Sequence, residues 1–110
     1  MFVVDLEPVF SANVDVVAPG GKVQTIRVEF NYLDQDAYKD LFKELKDEPL
    51  LVLVGRLVKS WEEKDGAGWV GMPMPFSQEA LAAVARKQPR LLRCLLDAYH
   101  KDVLGVALGN

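Results

Sequence analysis

This 110-residue chain is poor in the residues around which most enzymes and metalloproteins are built. It has one cysteine, Cys94, and one histidine, His100. A single thiol excludes an intrachain disulfide and is compatible with a reducing compartment. The pair cannot supply a zinc ligand set, and the two residues fall on different parts of a helical wheel. No stretch approaches the roughly 18 apolar residues of a membrane span, the longest run being "PLLVLVG" at 49–55. The opening "MFVVDLEPVF" lacks the basic start and long apolar run of a secretory leader, so none is expected. Internal repeats and low-complexity tracts are missing as well. Gly20-Gly21 precedes a strand-like run rather than a helix and is not a phosphate loop. Asp5, Glu7, Asp34 and Asp36 lack calcium-loop spacing. No catalytic, cofactor-binding or metal-binding residue is therefore assigned.

What is present is an ordinary globular composition, 50% hydrophobic and 26% charged, with a net charge of −3. A mildly acidic chain has no strong field to draw nucleic acid or an anionic membrane, and neither is expected as a partner. The length suits a single domain over 1–110.

The patterning predicts an α+β fold, an N-terminal antiparallel β-hairpin packed on a bundle of about four α-helices. The hairpin spans about 8–32. Phe10, Ala12, Val14 and Val16 alternate with polar neighbours, as do Ile26, Val28, Phe30 and Tyr32, giving one dry and one wet face. "PGG" at 19–21 supplies the turn, since glycine tolerates positive φ. Helices are predicted at about 35–46, 49–62, 78–87 and 89–106. In the first, Tyr38, Leu41, Phe42 and Leu45 recur at helical spacing after Asp34, a good N-cap. The second is apolar nearly all round, from Leu50 to Trp61, which suits a central element. Gly55 inside it implies a close approach by another backbone. Ser77 caps the third and Pro89 opens the fourth. His100 is expected to be exposed beside Lys101, favouring the helix C-terminal dipole.

Between the second and third helices lies "WVGMPMPF" at 69–76. Its prolines forbid a helix, yet it places Trp69, Met72, Met74 and Phe76 where loops usually place small polar residues. Two roles compete, a lid over the protein's own core and a surface for a partner. Methionine suits both, being flexible and polarizable, and aromatic residues are enriched at interfaces. Trp61 and Phe76 are expected to point inward, with Met72, Met74 and Trp69 partly outward. Trp69, Met72, Met74 and Phe76 are thus the candidate partner-binding residues. A basic cluster, Arg86, Lys87, Arg90 and Arg93, is most simply a solvated helix junction.

The order of these features resembles the small tail assembly chaperones of long-tailed bacteriophages and their prophages. The resemblance runs from about residue 8 onward. A hairpin ends in "VEFNYLD", a charged amphipathic helix follows, and an apolar helix closes on Trp61. The Gly66 turn, "PFSQEAL" at 75–81 and a last helix carrying "DAYHKDV" complete it. "GAGWVGMPMPF" departs from the pattern, being longer and more apolar than the usual link. The resemblance implies a non-enzymatic protein without cofactors. It implies binding to the tape measure protein, a long and largely helical chain that sets tail length. The chaperone keeps that client soluble and helps recruit tail tube protein, through a longer frameshifted form of which a chain ending at Asn110 would be the short product. Action in the host bacterial cytoplasm, absence from the mature virion and a homo-oligomer are the further expectations. Two rivals are a structural or connector component retained in the virion and a small DNA-binding regulator using Arg86 to Arg93.

Overall fold

The hairpin forms where the alternation places it. The computed structural model describes residues 9–18 and 20–104, with side chains to residue 102. Strands β1 (Val9–Val17) and β2 (Val23–Asn31) pair antiparallel, from Val9 opposite Asn31 to Val17 opposite Val23. Gly20 and Gly21 take φ of 91° and 85°, as the turn demands. Ala12, Val14, Val16, Ile26, Val28 and Phe30 form the buried face. The wet face is crossed by polar bonds, Thr25 to Asp15 at 2.6 Å and Arg27 to Asn13 at 2.9 Å.

Helix α1 (Gln35–Leu45) is capped by Asp34, whose carboxylate accepts the Ala37 N–H at 2.8 Å. Helix α2 (Leu50–Leu57) follows Pro49 and buries Leu53, Val54 and Leu57. Each such side chain contributes roughly 1.5–3 kcal/mol relative to exposure. Gly55 is not approached by another backbone. The Gln78 side chain fills the space and donates to the Gly55 carbonyl at 2.9 Å.

The predicted helix 49–62 is corrected at its second half. The chain leaves α2 at Leu57 and becomes strand β3 (Val58–Trp61), which adds antiparallel to β2 and completes a sheet of order β1-β2-β3. Val28 pairs with Trp61, Glu29 with Ser60 and Phe30 with Val58, leaving Lys59 as the extra residue of a β-bulge. The bulge explains the misreading. A regular strand sends residues i and i+3 to opposite faces, and a helix sends them to the same face. With one residue bulged out, Val58 and Trp61 both face the core. Their spacing therefore looks helical. Lys59 is left outside, 3.9 Å from Glu29.

Helices α3 (Gln78–Lys87), capped by Ser77, and α4 (Arg90–Tyr99) complete the cover of the sheet. Helix α4 lies over β1 and brings the fully buried Tyr99 against Phe10, Phe30 and Tyr38, with ring centroids 5.7, 5.4 and 5.9 Å away. The Leu33 N–H donates to the Tyr99 hydroxyl at 3.1 Å. The regular helix predicted to 106 ends sooner. His100–Leu104 widen into a π-helical turn, and 105–106 lie outside the described residues.

Candidate functional site

The irregular segment 62–77 is held along its length. The Glu62 N–H donates to the Arg27 carbonyl at 3.0 Å and the Val70 N–H to the Thr25 carbonyl at 2.6 Å, so the chain stays beside β2 after β3 ends. Gly66 and Trp69 pair across a tight turn, and the Met72 N–H donates to the Glu62 carbonyl at 2.9 Å. At Gly71 the two arms nearly touch. A Cβ there would lie 2.5 Å from the Lys64 carbonyl carbon and 2.7 Å from the Asp65 nitrogen. Only glycine allows that approach, and Asp65 Oδ1 accepts the Gly71 N–H at 2.5 Å.

This arrangement separates the four residues singled out in the sequence. Trp69 lies on the outer face of the sheet, half-buried, with the Arg27 guanidinium 5.7 Å from its ring centre. Phe76 packs edge-on to Trp61 at 4.9 Å and is inward, as the sequence suggested. Met74 is half-buried, and its carbonyl accepts the Trp61 Nε1–H at 2.7 Å. Met72 is corrected from partly outward to inward, with only 8% of its surface exposed. The bonds at Val70 and Met72 make the segment strand-like, and the alternation that puts Trp69 outside puts Met72 inside. There Met72 borders a cavity of about 220 Å³ with Val16, Ile26, Val84 and Leu91. The four residues do not make one surface.

A more open apolar feature lies between α1 and α4. The helices run antiparallel, with His100 beside Tyr38 at one end and Arg93 and Leu96 near Phe42, Leu45 and Lys46 at the other. The seam between them is floored by Leu45, Leu50, Leu53 and Leu96 over a volume of about 270 Å³. A separate, more open hollow of about 740 Å³ adjoins it at Phe42 and is lined by Asp36, Tyr38, Lys39, Asp40, Lys43 and His100. Phe42 is 49% exposed, stacked on Tyr38 at 6.2 Å. The sequence reading assigned Phe42 to the core face. The missed signal was Lys39, Lys43 and Lys46 at i, i+4 and i+7, a polar stripe that Phe42 directly borders.

His100 is also corrected. It is half-buried, its ring lies edge-on to Tyr38 at 5.4 Å, and Nε2 is hydrogen-bonded to the Tyr38 hydroxyl. Burial lowers its pKa below the ordinary 6.5; Asp97 opposes the shift and Arg93 adds to it. Burial raises both tyrosines, Tyr99 to about 12. The unfolded chain therefore takes up a proton on histidine before the folded chain does. The stability due to neutral His100 is complete above about pH 6.5 and is lost as pH falls through the lower folded value. Urea midpoints measured between about pH 7.5 and 5 should fall with pH in the native protein. His100→Gln should flatten that slope. An unchanged slope would show that His100 titrates as it does in the unfolded chain.

Among the described residues, no three His, Cys, Asp or Glu side chains converge as metal ligands, and no helix is long and apolar enough to cross a membrane. The surface features are hydrophobic and charged, of the kind that meets another protein. No curated protein and no solved structure matches the chain. The profile of one protein family, described as phage tail assembly chaperone, matches residues 1–110. That match covers the hairpin, the bulged third strand, the tucked loop and the α1–α4 seam alike, and the chain belongs to the phage tail assembly chaperone family.

Proposed function

We propose that this protein is the non-enzymatic chaperone of a tape measure protein. The family acts in the host cell during tail assembly, which implies protein partners. In this reading the chain binds the long helical client, keeps it soluble in the host cytoplasm while tube subunits polymerise, and helps recruit those subunits. It is then left out of the mature virion. The supporting observation is the α1–α4 seam, where Phe42 stands half-exposed over an apolar floor. Amphipathic helices dock in such grooves by their apolar face. Several copies along one client would add avidity that a single shallow site lacks. Trp69 and Met74 offer a second, smaller contact on the loop; Met72 does not.

Co-expression with the long helical protein of the same phage or prophage, followed by affinity capture from the soluble fraction, tests the proposal. The client should move into the soluble fraction and co-purify, and purified particles should lack the chaperone. A client that stays insoluble with nothing captured would overturn the assignment. Recovery of the chain from washed particles would instead favour a retained structural component.

A further inference from the structure

The net charge of −3 conceals a clustering of basic side chains along the rims of the seam. On α1, Lys39, Lys43 and Lys46 form one exposed stripe beside Phe42, and Lys46 continues the helical backbone as its C-cap. On α4, Arg93 lines the opposite wall and Arg90 follows one turn away, both exposed. Arg93 alone among these five has a carboxylate partner among the described residues, Asp97 at 3.4 Å. Acidic groups lie nearby: Glu48 in the seam, Asp97 beside Arg93, and Asp36 and Asp40 in the adjoining hollow. The helical order puts Asp36 and Asp40 beyond the lysine stripe, farther round α1 from Phe42. The walls nearest the apolar floor are basic on both sides.

We propose that the α1–α4 seam is a docking groove for one amphipathic helix whose apolar stripe is flanked by acidic residues. Its apolar side chains cover the exposed Phe42 and the partly buried Leu50, over a floor in which Leu45, Leu53 and Leu96 are already nearly covered. Its Glu and Asp side chains meet Lys39, Lys43 and Lys46 on one side and Arg90 and Arg93 on the other. Apolar burial supplies affinity, and the paired rims select the sign of the partner's flanks. This rests on the reading of the chain as a binder of helical clients and names the class of client segment. The exposed ring of Phe42 separates such a helix from nucleic acid, which would leave it uncovered.

The test uses the full chain and two labelled peptides of about 20 residues, long enough to cross the seam as helices. Both carry the same leucine stripe, one flanked by Glu and the other by Lys. Fluorescence anisotropy at low salt should show the Glu peptide binding at least about tenfold more tightly. The gap should shrink near 1 M salt, where screening acts over about 3 Å. Phe42→Ser should weaken the Glu peptide about tenfold or more while leaving the circular dichroism unchanged, since Phe42 is half-exposed. The pair Lys43→Glu and Lys46→Glu should reverse the peptide preference, and Val23→Ser, at the exposed start of β2 and outside the seam, should leave it as it was. Equal affinity for the two peptides would overturn the proposal. So would full binding by Phe42→Ser, or displacement of the peptide by a short DNA duplex. A change from dimer to monomer in Phe42→Ser, with peptide binding intact, would make the seam a contact between copies and also overturn it. Peptide selectivity without capture of the tape measure protein would retain the groove and reject that client. Capture without selectivity would do the reverse.

Discussion

Trp61→Ala is expected to lower the stability of the folded chain by about 3–5 kcal/mol, the cost of removing a large buried aromatic. Trp61 is 5% exposed and stands at three junctions. It ends β3 opposite Val28, it packs against Phe76, and its Nε1–H donates to the Met74 carbonyl at 2.7 Å. Truncation opens a cavity and removes two of the loop's anchors at once. Small domains are stabilised by only about 5–15 kcal/mol, so the variant should unfold at a far lower urea concentration. Trp61→Phe separates the contributions. It keeps a ring for Phe76 and loses the donor to Met74, and should cost about 1 kcal/mol as a partly buried carbonyl loses its partner. If Trp61→Ala lowered the unfolding free energy by less than about 1 kcal/mol, the third strand and the loop would not be coupled through this residue.

The double variant Met72→Ser with Met74→Ser decides between lid and interface. It should cost about 2–5 kcal/mol, nearly all of it from Met72. Met72 faces the core, and serine there both empties the site and buries a hydroxyl. Met74 is half-buried, and its structural bond runs through the backbone carbonyl, which serine keeps. The single variants should therefore differ sharply in thermal midpoint, at roughly 4–8 °C per kcal/mol for a chain of this size. A double variant as stable as the native protein would return the methionines to a partner-facing role. Met72 thus acts as lid, while the large open apolar side chains among the described residues are Phe42, Val23, Tyr32 and, in the loop itself, Val70.

Much of this was legible in the chain. The alternation of 10–16 and 26–30 dictated a two-faced hairpin, because a strand's side-chain period is two and one face must leave water. Asp34 and Ser77 marked helix starts through their capping bonds, which are local chemistry. The features that made the resemblance to tail assembly chaperones, from Trp61 to "PFSQEAL", lie in the chain that the family profile spans. The absence of an evident catalytic motif was also a sequence-level observation.

Tertiary structure decided the rest. Val58 and Trp61 carry a spacing that a helix and a bulged strand share, and only the free edge of β2 selected the strand. Met72 turned inward because backbone bonds to Glu62, and from Val70 to Thr25, fixed the loop's alternation. Phe42 and Tyr38 lie four residues apart on one stripe, yet Tyr38 is covered by Tyr99 and His100 while Phe42 stays 49% exposed at the rim of the seam. Local pattern determined which side chains would leave water if they could. Tertiary packing determined which of them did, since burial depends on what the rest of the chain brings to the other side.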